Sequence, residues 1–468
     1  MKVINFLFLA FVILSYFACK LDSPAEQSEV VTADYLIEDV ALLPMTDVQL
    51  IPHQYVYLKD GKILKTGKDN SLKAKKVIDG KGKFLMPGFT EMHAHIPVAK
   101  DGNDTLVRQT LFLYLSQGIT NIRGMLGDPY HLLLKEAVAN EEILGPRIYT
   151  SSPSLNGNNL TSPELAKEKV TQYQKDGYDF LKIHPGIKLE VWEEIEKTAK
   201  EVGIPYAGHV PVEVGIHRAL ESKYQTVDHL DGYIEGLVPA SVGVNPNANG
   251  FFGYNFANLA DVERIEQLVA KTLENGVGIV TTQTLFTRWF SPEPAEKLAA
   301  EPEMKYMPPK TLYAWRQNKS RMISAENYNE EQWKSFLDLR VRILKEMDQK
   351  GVLLLLGSDA PQVFNVPGFS IHHELLAMSD AGISNINLLR SGTSSPAVFF
   401  NAKGQYGTIE KGAAADLLLL NSNPLENLAS TSDIAGVMVG TNWLSRAEID
   451  LRLAEIANAY AEMSTAEE

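Results

Sequence analysis

His93 and His95 stand one residue apart in "GFTEMHAHI", residues 88–96. In a β-strand, residues i and i+2 project to the same side, so a strand here aims both imidazoles at one point. The chain has ten histidines, and one His-x-His pair among so many is weak evidence by itself. Further candidates are Lys182 and His184 in "YDFLKIH", His209 in "AGHV", His229 in "VDHL" and Asp359 in "GSDAP". Imidazole nitrogen and carboxylate oxygen are the donors that suit zinc and related divalent ions. The only cysteine, Cys19, lies near the N-terminus. Disulfides within the chain are therefore excluded, and so are thiolate ligands in the domain that follows.

Lys182 is the odd member of this set. An ammonium among metal-binding imidazoles repels the ion and loses its own solvation. Reaction with CO2 turns the amine into a carbamate, an anion whose two oxygens can bridge two metals. A plain salt-bridged lysine beside a mononuclear site is the alternative.

These groups need a scaffold that brings them together. A chain of 468 residues exceeds the usual size of one hydrophobic core, so a large domain with a smaller one is expected. Eight short apolar runs cross the middle: "FTEMHAHI", "GITNIRGM", "PRIYTSSP", "YDFLKIH", "IPYAGHV", "YQTVDHL", "GVGIVTTQT" and "VLLLLGSDAP". Amphipathic stretches such as "PELAKEKVTQYQKDG" and "LEVWEEIEKTAKEVG" separate several of them. Alternating strands and helices predict an α/β fold with a parallel sheet, and "VLLLLG" is apolar throughout, as a strand covered on both faces must be. Eight such units predict a (β/α)8 TIM-like barrel over 86–402, with its active site at the C-terminal strand ends. Five of the eight runs end in the groups named above. Each would be costly to bury unpartnered, and a divalent metal is a partner all can share. Segments 235–250 and 286–333 read as loop insertions on that face.

Both ends of the chain are β-rich. "YVYLKDGKILKTG" alternates around Asp60-Gly61, a hairpin signal, and "GTIEKGAAADLLLLNSNP" and "GVMVG" give strands near the other end. Segments 34–85 and 403–445 are expected to form one small β-sandwich domain, followed by a C-terminal helix over 446–468.

Hydrophobic content of 45% with 22% charged residues is ordinary for a globular protein, and a net charge of −14 without a basic stripe argues against nucleic acid. The expected partner is a small-molecule substrate, and a homo-oligomer is compatible with the composition. "MKVINFLFLAFVILSYFACK" has one early cation, then an apolar run too short to span a membrane. It reads as a signal peptide over 1–18, with Ala18-Cys19 forming an imperfect lipobox that has Tyr16 where Leu is usual. Cys19 is then the lipid anchor, and 19–33 a polar tether. That places an exported protein in the bacterial envelope, touching membrane only through its anchor.

Together, "FLMPGFTEMHAH", "YDFLKIH", "AGHV", "VDHL", "GSDAP" and "GTIEKGAAADLLLLNSNPLENL" resemble the amidohydrolase superfamily, in particular its imidazolonepropionase-like and carbamylated-lysine prolidase-like branch. The resemblance runs over roughly 34–440. It implies that His93, His95 and Asp359 bind one metal, that His209 and His229 bind a second, and that a CO2-derived carbamate on Lys182 bridges them. Two Zn2+ ions per chain and a catalytic Asp359 are the expectation. The implied activity is hydrolysis of a non-standard amide-type C–N bond, in a cyclic amide or imide or a dipeptide-like substrate, by water that the metals activate. Lactone, ester or phosphotriester hydrolysis, or deamination, at the same centre is the alternative, and a non-catalytic binding lipoprotein is a third reading. Arg123 is followed by Gly124, where this family often has Asp.

The remaining candidates have plainer readings beside the functional ones. His184 shares the strand face of Lys182 and reads either as a substrate contact or as a support for the ligands. Tyr233 reads either as a group that polarises the scissile carbonyl or as a loop aromatic. His372, His373 and Glu374 should open the helix after the eighth strand, with substrate contact the alternative reading, and His53, His131 and His217 should lie on the surface.

Overall fold

The computed structural model describes residues 32–466 and shows a mixed α/β fold. The signal peptide, Cys19 and nearly all of the tether lie outside the described residues. Five strands open the described chain: β1 Ala33–Leu42, β2 Ile51–Lys59, β3 Lys62–Gly67, β4 Ala74–Asp79 and β5 Phe84–Pro87. Eight more follow: β6 Phe89–Ala94, β7 Ile119–Gly124, β8 Arg147–Thr150, β9 Leu181–Ile183, β10 Tyr206–Gly208, β11 Thr226–Asp228, β12 Gly278–Val280 and β13 Leu354–Leu355. Each falls inside one of the apolar runs. The last three are β14 Leu417–Leu420, β15 Ile434–Val439 and β16 Asn442–Ser445.

One eight-stranded sheet joins the two ends of the chain, in the order β16-β15-β14-β5-β1-β2-β3, with β4 pairing β1. The β2–β3 hairpin turns on Asp60 (φ 49°) and Gly61 (φ 70°). That is the two-residue left-handed loop an Asp-Gly pair favours. The stitch between the ends is β14, antiparallel to β5 with Leu417 opposite Pro87 and Leu420 opposite Phe84. Its four leucines alternate between faces, as strand geometry demands. Leu417 and Leu419 enter a small core with Ile37, Val56, Leu85 and Met438. Leu418 and Leu420 enter the main core with Leu115, Ile119 and Val437.

The other eight strands are all parallel, in a five-stranded set β13-β12-β11-β10-β9 and a three-stranded set β6-β7-β8. Backbone bonds cross from each set to the other. Ser152 N–H donates to Phe180 O (2.7 Å) and Leu155 N–H to Lys182 O (2.9 Å) on one side. Met92 N–H donates to Leu356 O (2.9 Å) and His95 N–H to Ala360 O (2.8 Å) on the other.

Local sequence explains the helices between strands. Pro163–Asp176 starts with Ser162 capping the Leu165 N–H and Pro at its first position, and stops at left-handed Gly177 (φ 90°). Glu330–Lys350 is capped by Asn329 and ends at Gly351 (φ 78°). The insertions are not bare loops: 233–259 and 283–323 fold into short α- and 3-10 helices. At the end, Arg446–Ala466 forms the last helix.

Candidate metal centre

The expected ligands meet at the C-terminal ends of the parallel strands. His93 lies within β6 and His95 just beyond it, their ring centres 5.4 Å apart. Asp359 follows β13 and is tied across to β6, its N–H donating to His93 O at 3.0 Å. Its Oδ1 lies 2.7 Å from His95 Nε2 and 3.5 Å from His93 Nε2. The donor atoms of these three residues all fall within 4.8 Å of one another. His229, just after β11, has its ring 4.5 Å from that of His93 and 4.7 Å from that of His209. Its Nδ1 is 3.8 Å from Asp359 Oδ2.

His209 and His229 are hydrogen-bonded through Nδ1, and His93 Nδ1 lies at ion-pair distance from a carboxylate. His93 Nδ1 sits 2.8 Å from Asp228 Oδ2, His209 Nδ1 3.0 Å from Asp231 Oδ2, and His229 Nδ1 2.8 Å from Thr282 Oγ1. Partners of this kind fix the ring and leave Nε2 as the nitrogen to hold an ion. Burial, and then the positive charge of Lys182 and His95, hold the His93 imidazole well below its ordinary pKa. Burial, then His93 and His209, do the same for His229. Both shifts favour the neutral ring, the form in which imidazole binds metal.

Lys182 lies close enough to this group to act electrostatically on His93 and His229. It is 0% exposed, and Nζ has no hydrogen-bond partner. Burial pushes its pKa down to about 8, against the opposing pull of Asp228 and Asp359. Gly208 makes room for it: with φ 122° its backbone suits glycine, and a Cβ there would come 2.5 Å from Ile183 O and 3.1 Å from Lys182 Cδ. An unpartnered buried amine beside imidazoles and carboxylates is costly as it stands. The residues present fit divalent metal with nitrogen and oxygen donors.

The family profile of the amidohydrolases matches residues 84–444. The chain belongs to the amidohydrolase family. It is 24% identical over 392 residues to the imidazolonepropionase of Thermoanaerobacter pseudethanolicus, an alignment covering 81% of this chain and 86% of that one. Among solved structures it resembles bottromycin amidohydrolase, with TM-score 0.66, 19% identity and 90% of each chain covered. It also resembles an Xaa-Pro dipeptidase, with TM-score 0.62, 18% identity, and 88% of this chain and 99% of that one covered.

Several residues of this amidohydrolase's centre were not singled out from sequence. Asp228 and Asp231 flank His229 in "VDHLDG", a local run of acids that could have flagged them. Thr282 and Arg340 carried no such signal, and Arg123 stood out only for the Gly124 that follows it. Arg123 is fully buried, stacks 4.5 Å over Phe180, donates to Thr226 Oγ1 (3.0 Å) and lies 3.9 Å from Asp228. Thr226 in turn donates to Asp228 Oδ1 at 2.6 Å, so the carboxylate behind His93 is held from two sides. Arg340 donates to His229 O (2.6 Å), Thr281 O (2.9 Å) and Gln283 Oε1 (2.7 Å), pinning two strand ends together.

Asp228→Asn keeps the shape but removes the carboxylate charge 2.8 Å from His93 Nδ1. The expected result is metal affinity lower by roughly 10- to 100-fold, the usual effect of losing such a support. Metal titration with a competing chelator measures it, and an unchanged dissociation constant would mean that Asp228 only packs.

The structure also corrects expectations. Tyr233 is fully buried and its hydroxyl bonds Thr272 Oγ1 at 2.8 Å, so it packs into the wall instead of facing a substrate carbonyl. His131 is 1% exposed, not a surface residue, because its helix turns it inward to Pro97 O (3.3 Å). His53 and His217 are exposed. His184 adjoins the cluster, its ring 5.0 Å from His209, and its Nδ1 is taken by Ser154 Oγ at 2.6 Å. His372, His373 and Glu374 fall in the helix Phe369–Ser379 and bond Thr431, Glu303 and the Gln283 and Thr284 amides respectively.

Proposed function

We propose that the protein is a metal-dependent hydrolase of amide-type C–N bonds other than ordinary peptide bonds, acting on a small cyclic amide or dipeptide-like substrate. The observation that carries this reading is Lys182, buried without a hydrogen-bond partner and near enough to His93, His229 and Asp359 for their charges to interact. On this reading His93, His95 and Asp359 hold one ion and His209 and His229 a second, with Zn2+ the expected metal. A divalent ion there supplies Lewis acidity to a carbonyl and acidifies water. Lys182 contributes its neutral amine: Nζ bonds to the carbon of CO2, a proton leaves to solvent, and the carbamate that results is anionic. Asp359, whose Oδ1 is poised 2.7 Å from His95 Nε2, accepts the proton of the attacking water and returns it to the leaving nitrogen. Asp228, Asp231 and Thr282 keep His93, His209 and His229 in place during this exchange.

The fold reading extends the same way. The cross-bonds between the two parallel sets support a single closed (β/α)8 barrel. β1 pairs β4 through its first half and β5 through its second, with a register shift and Asp39 at φ 51° between them. Such a bulge lets one strand bend across two layers, which supports the small sandwich.

Purified protein assayed for metal and tested on dipeptides, cyclic imides, lactones and phosphotriesters is the direct test. Bound zinc and turnover confined to C–N substrates is the expected result, and turnover confined to lactones or phosphotriesters would sink the C–N reading. The anchor belongs to the same proposal: Cys19→Ser should move the protein from the membrane fraction to the soluble one. A mature N-terminus found downstream of Cys19 by mass spectrometry would end that idea.

A further inference from the structure

The insertion after β11 brings one aromatic residue over two of the imidazoles. Phe252 has φ 55° and ψ 34°, left-handed values for a residue with a Cβ, and Gly253 follows at φ 79°. Two such residues in succession turn the chain, so neighbouring side chains meet different surroundings. Phe251 is 58% exposed and lies 5.7 Å from Trp289. The Phe252 ring lies 5.3 Å from that of His229 and 5.8 Å from that of His209, nearly parallel to the latter at 30°. Phe286, fully buried, meets it edge-on at 4.9 Å, and the Arg340 guanidinium stacks 3.8 Å over Phe286. Gly253 fixes the turn, since a Cβ there would come 2.8 Å from both Glu235 Oε2 and Ile234 Cβ. Phe252 itself stays half-buried. A strained, half-buried ring braced from behind and laid against two imidazoles has the placement of a wall residue.

We propose that Phe252 is a specificity-determining residue, the apolar wall beside His209 and His229 that limits the size and charge of the substrate group lodged there. A flat or hydrocarbon group can stack on the phenyl face. A charged group would be desolvated against it with no partner, and a bulky one would collide with a ring that Phe286 prevents from retreating. The favoured substrates are amides that carry a compact apolar group on that side. This rests on the metal-dependent hydrolase reading above.

The test uses zinc-loaded full-length protein, with Phe252→Ala, Phe252→Trp and Phe252→Leu, the last retaining apolar volume should the alanine variant fold poorly. Amides with one common scissile bond and acetyl, benzoyl or succinyl groups are compared. The alanine variant should raise the kcat/KM ratio of the larger groups over acetyl by about tenfold, as expected for pocket changes of this size. The shift should lie mainly in KM, with zinc content unchanged, and tryptophan should move the ratio the other way. Zinc loss to EDTA should also be several-fold faster in Phe252→Ala, since the wall over the imidazoles is gone. Ratios that agree within twofold across all variants, with equal rates of zinc loss, would overturn the assignment. Failure of the wild type to hold zinc or cleave any amide is a different result, and it overturns the parent reading instead.

Discussion

Asp359→Asn is expected to lower kcat by roughly 10²–10⁴, the range for losing a positioned general acid–base. The carboxylate sits 2.7 Å from His95 Nε2 and 3.5 Å from His93 Nε2, close enough to touch whatever those imidazoles hold. Asparagine preserves the volume and one oxygen but cannot take a proton from water. Its amide also presents N–H donors where the site wants acceptors. The backbone adds a constraint of its own. Asp359 has φ 62°, a left-handed conformation that Asn tolerates well, so the substitution tests chemistry without disturbing the chain. Circular dichroism and thermal unfolding should therefore match the wild type. Retention of a tenth or more of the wild-type kcat would remove Asp359 from its proton-transfer role.

Lys182→Ala is expected to lose at least ~10³ in activity, because several kcal/mol of metal-supplied stabilisation goes with the bridge. About one of the two metal equivalents should go too. Nζ is buried and makes no hydrogen bond, so its removal breaks none. Acetate or propionate should restore part of both metal content and turnover, since a small carboxylate can occupy the space beside Gly208. Lys182→Arg should recover with neither, because a guanidinium stays charged and cannot be carbamylated. Wild-type protein stripped of metal should regain activity faster with bicarbonate present. One metal per chain and no bicarbonate effect would favour the mononuclear site with a free lysine. Crystallographic density at Nζ decides it, a planar three-atom extension being required.

Much of this was legible along the chain. The eight apolar runs could be found because a parallel strand covered on both faces must be apolar for its whole length. Five of the strand ends could be found because those runs carry a polar residue that a packed core would not tolerate: His95, His184, His209, His229 and Asp359. The Asp60-Gly61 hairpin was readable for a local reason, the positive φ its two residues need. Where the reading missed, distance along the chain was the cause. Tyr233 looked like a loop residue because nothing near it shows that Thr272, on another helix, takes its hydroxyl. His131 looked like a surface residue because burial of one helix face depends on what packs there.

Residue type and strand periodicity by themselves pointed to the candidate donors, to nitrogen and oxygen as their atoms, and to the strand ends that carry them. Those are local properties, set by alternation along a strand and by the cost of burying polar groups. Only the tertiary structure decided which candidate donors meet and which neighbours surround them. His93 meets Asp359 across 266 positions of chain, and Arg123, Asp228, Thr282 and Arg340 act through partners on other strands and helices. No periodicity encodes such contacts, because they arise only when the strand ends converge and each buried polar atom must find its complement in space.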